Sequence, residues 1–530
     1  MTVTITPQGQ NRFYGAFIND DWKVTRNLTL NLGLRYEFDT AYTDPEDRLT
    51  RPLDLNNPIP EMQGATAPRM PPQLAQFYKG PTIFNGAFRF ADSKNRGQWD
   101  AGIGVLSPRA GIAYRLNDLT SLRVGYGLFP TPWVGSTTNI FDHTYYYGFR
   151  QVTGAPSAVL GVPQMRLSNP FPPDNPVIPA YKKSLGRYTM LGDSFNYVAE
   201  KRPRSYSNRV NVSLQRQLPQ GFVADVTFYI NFTSQLIGMY NVNQVDPRVA
   251  YEYKDAINIS VPNSFFNYLT VEKFPGPLRY QRNVALTTLM RKYPHYGALN
   301  VFDGIRGGDM RYYSLQLRFQ KSFSSGYAFM AGYNYAFQRD QVFFNDVASF
   351  LQNFTWQDNN RPRHRLTMAG TWEIPIGRGR RFFSGMNRGL DMVVGGWDVT
   401  GFLMWRSGWF TRFGGMVVTG DPRLDKPTPQ RWFNTAVFAP LPAYTIRTNP
   451  WQYPGLTNPG LLNVDGSLVK RVPVTEKYRV ELRMDVFNVL NNMTWADPVT
   501  NVFAATFGQS TNQLANTFGR RAQLGLRIEF

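Results

Sequence analysis

The 530-residue chain contains no cysteine and only three histidines, His143, His295 and His364. Without cysteine there is no disulfide framework, thiolate metal site or cysteine nucleophile. Three scattered histidines argue against a His-built metal centre or a catalytic triad. Charged residues make up 18% of the chain, below the roughly 25% of an ordinary soluble domain. No run of about 18 apolar residues is present, so a transmembrane helix is excluded. Lys/Arg blocks are also absent. The formal charge of +20 is spread singly along alternating segments, which speaks against nucleic acid as a partner. Its densest stretch is Gly377-Arg378-Gly379-Arg380-Arg381, read as a Gly-rich turn. What is abundant is aromatic: 39 Phe, 29 Tyr and 11 Trp, too many for a disordered chain.

The dominant pattern has period two. Leu28, Leu30, Leu32, Leu34, Tyr36 and Phe38 alternate with Thr29, Asn31, Gly33, Arg35 and Glu37. This is the signature of a half-buried strand. It recurs through Ala110–Leu116, Leu122–Leu128, Val210–Leu214, Phe222–Phe232, Tyr313–Phe319, Tyr327–Phe337, Leu366–Ile374, Trp397–Trp405 and Tyr478–Val486. About thirteen strands are expected, near 10–22, 28–39, 107–117, 120–130, 205–218, 222–240, 310–323, 326–338, 362–375, 391–407, 460–471, 476–490 and 519–530. At about ten residues each they are long enough to cross a bilayer. Tight connections at 23–27, 117–119, 219–221, 322–326 and 472–475 alternate with long ones near 40–106, 131–204, 242–309, 339–361, 408–459 and 491–518. Short turns on one side and long loops on the other fit an outer-membrane barrel. The fold expected is therefore all-β: one transmembrane antiparallel β-barrel domain over residues 1–530, its long loops outside the cell.

On the apolar faces, aromatics gather near strand ends: Tyr36, Phe38, Tyr335, Phe337, Trp372, Trp397, Trp405 and Tyr478. Rings at those positions suit membrane interfaces. The segment ending in Leu524, Leu526, Ile528 and Phe530 looks like the C-terminal strand signal read by the outer-membrane assembly machinery. Such a strand runs towards the periplasm, which places every tight turn there. An odd strand count and an opening Met1-Thr2-Val3 without a charged n-region or apolar h-region raise the expectation that the chain is the C-terminal part of something longer.

Several segments resemble TonB-dependent receptors, most of all the Oar-like group with a carboxypeptidase-regulatory-like N-terminal domain. They are Tyr14-Gly15-Ala16-Phe17-Ile18-Asn19-Asp20-Asp21-Trp22, Ser107-Pro108-Arg109-Ala110-Gly111, Arg363-His364-Arg365-Leu366, Ile374-Pro375-Ile376-Gly377, Arg406-Ser407-Gly408, Trp432-Phe433-Asn434 and, most specifically, Val486-Phe487-Asn488-Val489-Leu490-Asn491. The resemblance implies a barrel of about 22 strands filled by a plug, driven by the TonB complex. About thirteen strands, no plug and no TonB box are found here, so the TonB complex would act through a missing N-terminal plug.

Strand parity turns twelve arginines inward: Arg35, Arg109, Arg115, Arg123, Arg209, Arg318, Arg363, Arg365, Arg479, Arg483, Arg521 and Arg527. It turns six acids the same way: Glu37, Asp225, Glu373, Glu481, Asp485 and Glu529. Of these, Arg35, Arg109, Arg123, Arg209, Arg318, Arg365, Arg483 and Arg527 are candidate lumen or plug contacts. Salt bridging between strands and to a plug is favoured over attraction of an anionic solute. The aromatic runs Tyr145-Tyr146-Tyr147-Gly148-Phe149 and Ser264-Phe265-Phe266-Asn267-Tyr268 suit sugar or peptide binding about as well as loop packing. Arg378, Arg380 and Arg381 would meet lipid phosphates. No catalytic, cofactor or metal residues can be singled out: the glycine clusters lack a phosphate loop's helix and Lys-Ser/Thr, and Asp20-Asp21 lacks calcium-loop spacing. The expected protein is thus an outer-membrane receptor, not an enzyme, that binds and imports a large solute. Its partners would be outer-membrane lipid and lipopolysaccharide, the barrel-assembly machinery and the TonB complex. The alternatives are an adhesin or surface-structural protein acting through its loops, and a loop-borne hydrolase on a barrel.

Overall fold

The computed structural model describes residues 2–530 except 133–146, 155–167, 169, 172, 174–175, 203, 237, 303–307, 344–345, 352 and 476. A single antiparallel path joins β1 (Phe13–Lys23), β2 (Leu28–Asp39), β3 (Val105–Asn117), β4 (Thr120–Pro130), β5 (Tyr206–Leu218), β6 (Phe222–Ser234), β7 (Met310–Ser324), β8 (Tyr327–Phe343), β9 (His364–Glu373), β10 (Trp397–Arg406), β11 (Leu461–Pro473), β12 (Arg479–Phe487) and β13 (Arg521–Glu529). Each is a neighbour in space of the strand before it in this series. The short strand Phe354–Asp358 pairs with β8 off the main path. Among the described residues no ladder joins β1 to β13.

Register preserves the alternation from strand to strand. Leu28 lies opposite Tyr114, Tyr114 opposite Leu122, and the row continues through Leu214, Val226, Leu317, Tyr333, Leu366, Trp405 and Leu462. Directly paired residues share a face, so one face of the sheet is apolar across ten consecutive strands. The set is completed by Leu468 opposite Met484 and Met484 opposite Leu524. A one-residue slip anywhere would transfer a whole strand's apolar set to the other face. The edge strand β1 mixes the two characters, with Asp20 opposite Leu32 on the apolar face and Phe17 paired with Arg35 on the polar one, and β10 likewise turns Phe402 and Met404 to the polar face.

Among the described residues the apolar face packs against no other element. Leu317, Phe228, Trp372 and Leu526 are all exposed. Two cations limit it along β7. At one end, the Lys321 ammonium donates to the Ser324 carbonyl at 2.6 Å and lies 3.9 Å from the Tyr327 ring centroid. At the other, the Arg311 guanidinium lies 4.5 Å from the Trp356 ring centroid. Between them the face carries Tyr313, Leu315, Leu317 and Phe319. Ten residue steps at about 3.4 Å, tilted by about 40°, give a height of about 25 Å, the depth of an outer-membrane apolar band. No helix among the described residues is long and apolar enough to cross a membrane; the strands are the only elements of that reach.

One end of the sheet has short connections. At 325–326 the turn takes φ 53° at Ser325 and 82° at Gly326, a two-residue hairpin loop whose twist matches the strands. The expected strand start at 391 is corrected here. Residues Arg388–Val394 form a helix, with the Asn387 side chain accepting from Leu390 N at 2.8 Å, and β10 begins only at Trp397. The cap at Asn387 and the helix-ending Gly395-Gly396 pair outweigh the apolar residues that had suggested a longer strand. Likewise, much of the expected loop 339–361 is strand, because β8 runs on to Phe343 and pairs with Phe354–Asp358.

The molecule's buried core lies at the other end. The connections 40–104, 131–205 and 235–309 converge on a cluster that includes Ile59, Met62, Leu191, Phe195, Phe265, Phe274, Leu286, Leu289 and Tyr296. Small sheets brace it: Thr50–Pro58 with Asn85–Phe90, and Leu299–Phe302 between Met239–Asn241 and Phe195–Val198. A second cluster, around Phe413, Phe433 and Phe438, joins 407–460 to Val502 and Phe507 of 488–520. These long connections are therefore not structureless; together they make a packed cap.

Candidate functional site: the polar face and its cap

All eight arginines named as lumen candidates fall on the polar face by register. Their partners differ. Arg35 pairs with Glu37, Arg483 with Asp485 at 2.9 Å and Arg527 with Glu529 at 3.4 Å. Arg318 donates to Gln320. Arg109 and Arg209 both lie against the Phe129 ring, 4.9 and 4.7 Å from its centroid. The ring has room because position 127 is glycine; a Cβ there would meet it at 2.8 Å. Arg123 and Arg365 have no ion pair or side-chain hydrogen bond among the described residues.

The eight aromatics divide between the two ends. Tyr36, Phe38, Tyr335, Phe337 and Trp405 lie on the apolar face towards the cap. Trp372 and Trp397 lie on the same face at the short-turn end, and Tyr478 directly precedes β12 there. Tyr335, His364 and Trp405 form a ring cluster, with centroid separations of 5.0 and 6.3 Å. Leu524, Leu526 and Ile528 share the apolar face of β13, and Phe530 follows the strand.

Some of the loop aromatics pack into the cap, while Phe266 is exposed. Phe149 and Phe265 are buried, and Tyr147 meets Phe195 with centroids 5.5 Å apart; Tyr145 and Tyr146 lie outside the described residues. Polar groups inside the cap serve the same end. Asn243 donates to the carbonyls of Tyr293 and Gly297 at 2.9 and 2.8 Å, and Tyr296 donates to the Gly86 carbonyl at 2.7 Å. Burial pulls His295 down to about 3, against one hydrogen-bonding contact of 3.0 Å between its Nε2 and the Asn85 carbonyl. The ring is therefore neutral at physiological pH. Burial also opposes ionisation of Glu61, but hydrogen bonds from Arg187 and Tyr188 outweigh it and hold the carboxyl at about 2. Among the described residues no group of three metal-ligating side chains is present.

Where the polar face meets the cap, β8, β9, β10 and the segment 359–363 enclose a cavity of about 370 Å³. Its walls include Tyr312, Asn334, Gln338, Asn359, Arg361, Arg363, Arg365, Arg406 and Phe410. Arg363 and Arg365 were legible from parity. Arg406 falls on the same face by the same rule, opposite Arg365, and its alternation with Trp405 was the signal available. Arg361 lies in a connection, where no period reveals its direction.

A family model described as an outer membrane beta barrel domain matches residues 2–523. The chain belongs to that family. It is accordingly a component of the bacterial outer membrane. No curated protein matches it. Among solved structures it is similar to the ferric-catecholate import receptor Fiu of Escherichia coli K12 (11% identity, TM-score 0.41), covering 98% of this chain and 45% of that one. It is similar to the outer membrane transporter YddB of Escherichia coli (10% identity, TM-score 0.43), with the same two coverages. It is also similar to the copper transporter OprC (11% identity, TM-score 0.41), covering 98% of this chain and 48% of that one. The barrel domain thus spans less than half the length of these proteins.

Proposed function

We propose that this barrel domain is the wall and outer cap of a TonB-dependent receptor, of the Oar-like group, that binds and imports a large solute. The observation carrying the proposal is the division of the sheet. A continuous apolar band backs onto a polar, arginine-bearing face, and that face runs up to a cap packed from the connections at one end. A surface built only to adhere has no need of a polar wall beneath its loops. On this reading the cap is extracellular, the short turns are periplasmic, and the two aromatic groups lie at the membrane interfaces. Arg35, Arg123, Arg318 and Arg527 would face the lumen or a plug, and energy would come from the TonB complex through an N-terminal plug segment. Leu524, Leu526, Ile528 and Phe530 would present the assembly signal.

The test is uptake. Cells carrying the intact gene and cells deleted for it are compared for accumulation of pooled radiolabelled solutes, with and without an uncoupler of the inner membrane. Loss of one solute's accumulation on both deletion and uncoupling is expected. Accumulation that is indifferent to deletion, or to the uncoupler, rejects energised import.

A further inference from the structure

We propose that the cavity between β8, β9 and β10 is a binding site for a multivalent oxyanion, a small solute carrying carboxylate or phosphate groups. The proposal rests on the receptor reading and specifies the chemistry of its solute. Four guanidinium groups line the cavity, those of Arg361, Arg363, Arg365 and Arg406, and no carboxylate does. Arg365 and Arg406 stand directly opposite one another on the same face, a placement that like charges disfavour. Neither has an ion pair among the described residues. The Arg406 Nη1 is buried with no hydrogen-bond partner, and the guanidinium lies over the Trp409 ring at 4.5 Å. Arg363 does have a partner, Asp358 at 2.7 Å, and Asp358 is shared with Arg339 at 3.5 Å. That carboxylate offsets one charge of the group; Asp497, which accepts from the Trp409 ring N–H at 2.9 Å, acts on Arg406 through space without an ion pair, and Arg361 and Arg365 have no ion pair among the described residues.

Elsewhere on the polar face some arginines are matched by acids. Arg471 reaches both Asp398 and Glu481, and Arg483 reaches Asp485. Among the four arginines of the cavity only Arg363 has such an ion pair among the described residues. Arg361 and Arg365 are exposed and Arg363 and Arg406 half-buried, so their forks are open to a solute, and planar guanidinium forks match carboxylate and phosphate oxygens two at a time. The tyrosine hydroxyl of Tyr312 and the amide of Asn334 add neutral donors, and the buried Asn334 Oδ1 is likewise unpartnered. About 370 Å³ admits a solute the size of a tricarboxylate.

The experiment is equilibrium dialysis of the full-length protein in detergent, at low salt, against labelled citrate and, separately, labelled inorganic phosphate, with glycerol as the uncharged comparison. Saturable binding of at least one anion is expected, weakened about tenfold or more by Arg406→Gln and by Arg365→Gln. Arg365→Lys should recover only part of it, since the charge returns without the fork. Arg423→Gln removes an equal charge from an exposed ion pair with Asp421 and should leave binding unchanged. Retained heat-modifiable migration in electrophoresis shows that each variant is folded. Absence of saturable anion binding overturns the proposal, as does an Arg423→Gln effect equal to that of Arg406→Gln. Anion binding without energised uptake would keep the site and reject the receptor reading. Energised uptake with no anion binding would do the reverse.

Discussion

The strand β7 and the cap segment around 257–301 are both rich in aromatic and aliphatic side chains, and they put them to opposite uses. On β7, Leu315, Leu317 and Phe319 are exposed, while in the cap Ile257, Phe265, Leu286, Leu289 and Tyr296 are almost wholly buried. The cap obeys the rule of water: apolar groups leave solvent and pack on one another. The wall leaves its apolar face unpacked, as suits a surface whose solvent is hydrocarbon, and ladders pair the backbone of each strand with its neighbours between the two edge strands. Cations on the wall's apolar face lie at its ends. Lys321 and Lys470 are buried at the short-turn end, each beneath backbone carbonyls and an aromatic ring, Tyr327 and Trp397 respectively.

The largest expected effect breaks the cap alone. Phe265→Ala removes a wholly buried ring that stacks on Phe274 with centroids 5.6 Å apart, at a cost of about 3–5 kcal/mol. Limited proteolysis should then cut within 40–104 and 235–309 while the wall keeps its heat-modifiable migration. Simultaneous loss of both would show that wall and cap are one cooperative unit. Next is the wall. Leu317→Arg places a charge in the middle of the apolar band, costing about 2–4 kcal/mol, whereas Gln316→Arg on the polar face should cost little. Denaturant titration in lipid vesicles compares the two, and an inverted order would reverse the face assignment. Deleting Phe530 should lower the amount of protein reaching the outer membrane without destabilising what arrives, and Arg527→Gln should assemble normally; fractionated membranes give both readings.

The smallest effect is a pH dependence confined to the cap. His295 has a folded-state value of about 3 against an ordinary 6.5. The unfolded chain therefore binds the extra proton, so cap stability is full above pH 6.5 and falls as the pH drops towards 3. Glu61, held at about 2 against 4.5, contributes stability that is lost only below 4.5. Between 6.5 and 4.5 the histidine acts without it. Hydrogen exchange in the cap should speed up over that interval, and His295→Asn should flatten the response. Equal acceleration in the wall strands would remove the distinction.

The wall was legible because its information is local. Each strand's period of two and each turn's chemistry lie within a dozen residues, as at Leu28–Asp39 and at Ser325-Gly326. Where a local signal was ambiguous, reading failed. Asp391 to Val394 carries strand-like apolar residues yet forms the end of a capped helix. Half of the oxyanion cavity was visible as inward parity at Arg363 and Arg365. Its counterpart Arg361 was not, because a connection has no period to fix where its side chains go.

By itself, the sequence determined which residues share a face, since alternation and pleat leave one choice per strand. It likewise carried the alternation, strand lengths and connection pattern on which the outer-membrane family rests. Only the tertiary structure decided that Leu53, Phe195 and Phe265 meet in one core, and that four arginines from separate segments surround one cavity. Those encounters join residues far apart in the chain. They depend on how the wall spaces the ends of its long connections, and no repeat within any single segment encodes that spacing.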